Sequence, residues 1–133
     1  MRDEILKDLI TFLRGEKRVS VAYLFGSYAK KTRTADSDID IAILLSETPK
    51  KTLEYYLHLV NELPKILGNE VDLIILNASP PLLKHQVIKY GKIVYSRHEG
   101  ERITFEARAQ SEYLDFSRAL TRYNECLINQ ILT

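Results

Sequence analysis

Asp38-Ile39-Asp40 opens an apolar run, Ile39–Leu45, and sets two carboxylates two residues apart. In a strand, positions i and i+2 share a face, so this spacing aims both acids at one point. Asp is a poor strand former and neighbouring like charges repel, so the pair asks for a compensating cation. Carboxylate oxygens suit Mg²⁺, which takes one or two of them and completes its octahedron with water and substrate phosphates. The plain alternative is a loop-to-strand turn with two exposed acids. Upstream, a second apolar run, Val19–Phe25, ends in Gly26-Ser27. Glycine at a strand end lets the backbone turn sharply and leaves room for a ligand. Ser27 stands where a helix would begin, and exposed N–H groups at such a position form an anion site. A phosphate cradle facing a carboxylate pair is the outline of a phosphoryl or nucleotidyl transfer site.

Other chemistry-bearing residues are fewer. Glu70–Leu76 reads as a third strand whose one interior charge is Asp72. An acid inside an apolar strand is costly unless it is paired or bound to a cation; the alternatives are an edge-strand Asp facing water or a salt bridge. His58, His85 and His98 have no partner at metal or triad spacing and read as surface residues. The single cysteine, Cys126, excludes an internal disulfide and supplies no zinc-site spacing.

These residues need positioning elements. Ile5, Leu6, Leu9, Ile10 and Leu13 repeat at helical spacing over residues 3–14, which predicts a helix covering one sheet face. Thr52–Leu67 is the next helix, with Leu53, Tyr56, Leu57, Val60, Leu63 and Leu67 as its apolar stripe. Pro80-Pro81 opens a helix over Leu82–Tyr90, with Ser79 as its N-cap and Gly91 as its stop. Lys92–Ser96 makes a short fourth strand. From Glu101 to Ile131 the chain has no Pro or Gly, and Phe105, Ala109, Tyr113, Phe116, Leu120, Tyr123, Leu127 and Ile131 form one stripe. Such a helix is ~45 Å long, whereas a packed globule of this size is only ~30 Å across. Either the helix folds across one sheet face and is fully used there, or it overhangs and its distal Tyr- and Phe-bearing stripe needs a partner.

Bulk properties bound the rest. The chain has 133 residues, 45% apolar and 28% charged, with a net charge of +1. That predicts one globular domain over 1–133, with the long helix occupying 100–133. The near-neutral charge argues against stable nucleic-acid binding. No apolar run approaches the ~18–20 residues that span a bilayer, and the opening Met-Arg-Asp-Glu lacks a signal-peptide pattern, so a cytoplasmic location is expected. The fold class expected is α/β: a small mixed sheet of about four strands flanked by helices that lie mainly on one face, with a long C-terminal helix.

Gly26-Ser27, ten residues, then Asp38-x-Asp40 resembles the GS-x10-D-x-D signature of the nucleotidyltransferase superfamily related to DNA polymerase beta. The short chain is similar to its minimal members, the MNT proteins. Asn77-Ala-Ser-Pro-Pro-Leu-Leu-Lys, Val87–Tyr95, Phe105-Glu-Ala-Arg-Ala and Tyr113-Leu-Asp-Phe116 look like MntA-type antitoxins that partner HEPN toxins. The resemblance implies a polymerase-beta-like fold with two Mg²⁺ ions held by Asp38, Asp40 and Asp72, the last acting as general base. It implies ATP as substrate, bound through Gly26, Ser27, Lys30 and Ser37. Where the family pattern has a second Gly after the GS turn, this chain has Lys31; Lys30 and Lys31 would then offer charge to a triphosphate or form a solvated basic loop. The activity implied is transfer of AMP to a tyrosine of a cognate HEPN ribonuclease toxin. Two rivals are a non-catalytic antitoxin acting by occlusion and a nucleotidyltransferase for small molecules such as aminoglycosides. The C-terminal helix would serve a homo-oligomeric or hetero-oligomeric contact.

Overall fold

The structure, a computed structural model, describes residues 2–26, 38–47 and 52–132. Helix α1 (Arg2–Gly15) leads into strands β1 (Val19–Phe25) and β2 (Ile39–Leu45). Helix α2 (Thr52–Leu67), strand β3 (Val71–Ile75) and a 3-10 turn (Leu76–Ala78) follow. Helix α3 (Pro81–Tyr90), strand β4 (Lys92–Ser96) and helix α4 (Glu99–Leu132) complete the chain. The four strands form one mixed sheet in the order β3-β2-β1-β4. β1 runs antiparallel to both β2 and β4, and β2 runs parallel to β3. The expected strand count and the long terminal helix are both present.

Alternation along the strands divides the core in two. Ile39, Ile41, Ile43 and Leu45 of β2 face α1 and α2, where Leu9, Leu13, Leu59 and Leu63 are buried. Ala42 and Leu44 face the other side, with Val21, Tyr23, Leu76 and Val87, and Leu83 and Phe105 pack there from α3 and α4. Helices therefore cover both faces, not mainly one. The reason is in β1 and β2, which are buried along nearly their whole length; strands that carry apolar residues on both faces need cover on both sides.

Three local expectations also change. The buried side of α2 is Tyr55, Leu59, Leu63 and Leu67, a clean four-residue repeat, while Leu53 and Leu57 are exposed. The sequence offers two overlapping apolar arcs on this helix, and the sheet selects the one that Tyr55 extends by donating its hydroxyl to Glu16 at 3.0 Å. Ser79 does not cap α3: the N-cap is Pro80, and the Ser79 hydroxyl donates instead to the Ile75 carbonyl at 2.9 Å. His85 is half-buried, its ring stacked on Tyr113 of α4 at 3.7 Å between centroids. His58 lies near Glu16 at 3.3 Å.

Two polar devices hold the sheet ends. β3 stops at Ile75, and the Asn77 side chain takes over its ladder. Its Oδ1 accepts the Leu45 N–H at 2.8 Å and its Nδ2 donates to the Leu45 carbonyl at 3.0 Å. At the other corner, the Arg97 guanidinium donates to the Arg14 carbonyl at 2.9 Å and the Leu13 carbonyl at 3.3 Å, satisfying acceptors left over at the end of α1.

Helix α4 is rooted by acids. Glu101 accepts from the Ser20 hydroxyl at 2.6 Å and the Ser46 hydroxyl at 3.2 Å. Glu106 accepts from the Tyr23 hydroxyl at 3.0 Å and pairs with Arg102 at 3.0 Å. Burial, together with Glu106, pushes the Tyr23 hydroxyl well above the usual phenol range. Lys84 of α3 meets Glu112 at 3.2 Å. Beyond Tyr113 the helix is largely exposed, so of the two arrangements its length allows, the overhang is the one present.

Candidate active site

Register brings the acids together. In the parallel pairing of β2 with β3, Asp40 lies opposite Asp72, so the two side chains stand next to each other on one face. That face is the one carrying Ala42, Leu44 and Ile74, toward α3 and α4. Asp38 precedes β2 by one residue and is exposed. The backbone is fixed at this point by the Ile39 N–H, which donates to the Glu70 carbonyl at 2.9 Å.

On its other side β2 pairs with β1, and Phe25 lies opposite Asp40. The next residue, Gly26, turns with φ +69°, a left-handed conformation that side-chain-bearing residues avoid. A Cβ at Gly26 would fall on the carboxylate of Asp40. The glycine thus does two things: it supplies the turn, and it lets the carboxylate lie against the backbone.

The electrostatics of the cluster are unbalanced. Burial raises the Asp40 carboxyl above the usual range, and the charges of Asp72 and Asp38 raise it further. Among the described residues no Lys or Arg forms an ion pair with any of the three acids. Nor, among them, do three acidic, His or Cys side chains close into a ready-made metal cage. That arrangement fits Mg²⁺ in a transfer site, which needs one or two carboxylates and leaves the remaining positions to water and phosphate oxygens.

Asp72 lies on an edge strand and is exposed. The desolvation cost expected for it is therefore small, and water alone would satisfy it. What marks it is its place beside Asp40, a register that no local sequence signal carries. Ser27, Lys30, Lys31 and Ser37 lie outside the described residues. Among the described residues, no helix is long and apolar enough to cross a membrane.

The chain is similar to several known proteins. Protein adenylyltransferase MntA of Shewanella oneidensis is 31% identical over 96 residues, which are 72% of this chain and 67% of that protein. A crystal structure of a toxin-antitoxin with AMP-PNP superposes with a TM-score of 0.70 at 25% identity, over 96% of this chain and 98% of that one. The fold is shared with a structure of the tri-AMPylated S. oneidensis HEPN toxin in complex with MNT antitoxin, at TM-score 0.68, 24% identity and full coverage of both chains. With the matching segment running from residue 7 to 100, through both strands of the carboxylate pair, the chain belongs to the polymerase beta nucleotidyltransferase family.

Proposed function

We propose that this chain is a protein adenylyltransferase antitoxin that moves AMP from ATP to a tyrosine hydroxyl of a HEPN-type toxin. The observation that supports it most directly is the Asp40–Asp72 pair in register at the Gly26 turn, with charge that invites a cation. In this reading Asp38 and Asp40 would hold both Mg²⁺ ions, and Asp72 would join them at the second. Bound Mg²⁺ neutralises triphosphate charge and lowers the pKa of the attacking hydroxyl. Asp72, open to solvent, accepts the tyrosine proton. The phenolic oxygen attacks the α-phosphorus in line, the bond to the bridging oxygen of the β-phosphate breaks, and pyrophosphate leaves. The Gly26 and Ser27 backbone, the Ser27 hydroxyl, Lys30 and Ser37 bind the nucleotide. Residues 1–133 act as one minimal domain in the cytoplasm, and the acceptor arrives as a folded protein.

The test is intact mass of the cognate toxin after incubation with this protein, ATP and Mg²⁺. A gain of one or more AMP units, absent with Asp38→Asn, is the expected result. No gain, with a stable complex still forming and toxicity still suppressed, would replace transfer by occlusion. Transfer by the isolated protein to an aminoglycoside, and not to the toxin, would replace it by small-molecule chemistry.

A further inference from the structure

Helix α3 joins the two edges of the sheet. It starts after β3 and ends at β4, with β2 and β1 between them, so it crosses the sheet face. β3 and β4 run in the same direction, so α3 leaves the sheet at the end far from the carboxylates and returns at the end that holds them. It lands tightly. Lys92, the first residue of β4, pairs with Leu24. A Cβ at Gly91 would collide with the Val87 carbonyl oxygen and lie 3.2 Å from the Leu24 carbonyl oxygen. The last turn of α3 is thus pressed on β1 next to Phe25, which pairs with Asp40, which pairs in turn with Asp72. Two strand spacings, roughly 10 Å, separate this landing from Asp72.

Contacts assign the sides of α3. Leu83 and Val87 pack on the sheet, while Lys84 and His85 meet Glu112 and Tyr113 of α4. At about 100° per residue, Gln86 and Tyr90 fall on the flank turned away from α4. Helix α4 is rooted at the far ends of β1 and β2 through Ser20 and Ser46. The opposite flank of α3 therefore borders the carboxylate end, where Asp40 and Asp72 stand. Gln86 and Tyr90 are both exposed there, Tyr90 by 49%, and the Lys89 ammonium lies over the Tyr90 ring at 5.2 Å from its centroid. Of the two described helices on this face, α3 is the one that reaches the carboxylate end.

We infer that this flank of α3 is the base-binding wall of the nucleotide site, with Tyr90 stacking on the base and Gln86 reading its edge. The inference rests on the nucleotidyl-transfer reading of the carboxylate pair and adds where the base lies and why it is adenine. An aromatic ring stacks on any base. The Gln86 amide sets a donor beside an acceptor, which matches the N6 and N7 edge of adenine, whereas guanine shows two acceptors there. With its phosphates at the cation and its base on α3, the nucleotide fills the corner between helix and sheet.

The test is calorimetric binding of ATP, GTP and inorganic tripolyphosphate, each with Mg²⁺, to the full chain. Tripolyphosphate keeps the phosphates and lacks the base. Wild type is expected to bind ATP more tightly than GTP, and both more tightly than tripolyphosphate. Tyr90→Ala should weaken ATP and GTP alike, on the order of tenfold, and Tyr90→Phe should keep both. Gln86→Ala should weaken ATP by about tenfold and leave GTP unchanged. Tripolyphosphate should bind all of them equally. Leu82→Ala, at an exposed position about two turns back on the same flank, should change nothing. ATP affinity unchanged in both alanine variants, or tripolyphosphate binding lost together with ATP, would overturn the inference. A wild type that binds ATP no better than tripolyphosphate would overturn it and leave the transfer reading standing. A wild type that binds none of the three would overturn both.

Discussion

Replacing Gly26 by alanine separates backbone strain from the chemistry of the carboxylate pair, provided that Gly68→Ala is made beside it. Both glycines sit in the left-handed region, at φ +69° and +70°. An L-residue there costs roughly 1–2 kcal/mol, so both variants should lose that much stability, a fall of several degrees in melting temperature. Their surroundings differ. A Cβ at Gly68 meets nothing within 4 Å, whereas one at Gly26 falls on the Asp40 carboxylate. The carboxylate is the far end of a side chain and can swing away, so the extra cost to folding is small, but Asp40 then no longer points where the register puts it. Misplacing a reacting group by about 1 Å can cost ~100-fold in rate, and that is the expected loss of AMP transfer in Gly26→Ala. Gly68→Ala should transfer normally at any temperature at which it stays folded. The assay is the rate of toxin mass gain beside a urea titration of each variant. If Gly26→Ala keeps transfer within roughly threefold of wild type while losing the same stability as Gly68→Ala, the position of Asp40 against the turn is not what the chemistry uses.

Other perturbations test the remaining parts. Leu63 is fully buried and Leu53 is 68% exposed, so Leu63→Ala should cost ~2–5 kcal/mol and Leu53→Ala no more than ~0.5 kcal/mol in urea unfolding; equal effects would contradict the buried stripe of α2. Asn77→Ala removes both bonds to the Leu45 backbone and should cost ~1–3 kcal/mol, with faster hydrogen exchange at the Leu45 amide. The Asp40 carboxyl is raised by burial and by its two acidic neighbours, so its contribution to stability is present at acid pH and lost as pH rises through its folded pKa. Asp40→Asn should therefore melt no lower than metal-free wild type at neutral pH, lose AMP transfer, and show none of the Mg²⁺-dependent thermal stabilisation expected of wild type. A lower neutral-pH melting temperature for Asp40→Asn would show that the charge is already compensated without metal.

Much of this was legible in the sequence because it was local. Strands β1 and β2 announce themselves as apolar runs interrupted only by Ser20 and Asp40, the Asp38-x-Asp40 spacing aims two carboxylates one way wherever the strand includes both, and the stretch 101–131, without Pro or Gly, can be measured against the width of its own domain. The parts that could not be read depend on pairing. Asp72 lies beside Asp40 only because β3 joins β2 in parallel at that register, and Gly26 lies under Asp40 only because Phe25 pairs with it across β1. The buried arc of α2 is chosen by the sheet from two that the sequence supplies. Asn77 looks like an ordinary loop residue until β3 stops two residues early and leaves Leu45 without a strand on that side. Cover on both faces was in fact implied by two strands with no polar alternation, a signal that outweighs the count of helices.

The rooting of α4 also has a mechanical side. Nineteen residues, 114–132, project past the stacking of Tyr113 on His85, and at 1.5 Å per residue they make a lever arm of ~28 Å. A tilt of about 5° at its base would carry the tip by ~2–3 Å. The bonds from Ser20, Ser46 and Tyr23 to Glu101 and Glu106 therefore act as a bearing. They hold the aim of a surface that none of them touches, and a substitution such as Glu106→Gln would be felt chiefly as play at the far end of the helix.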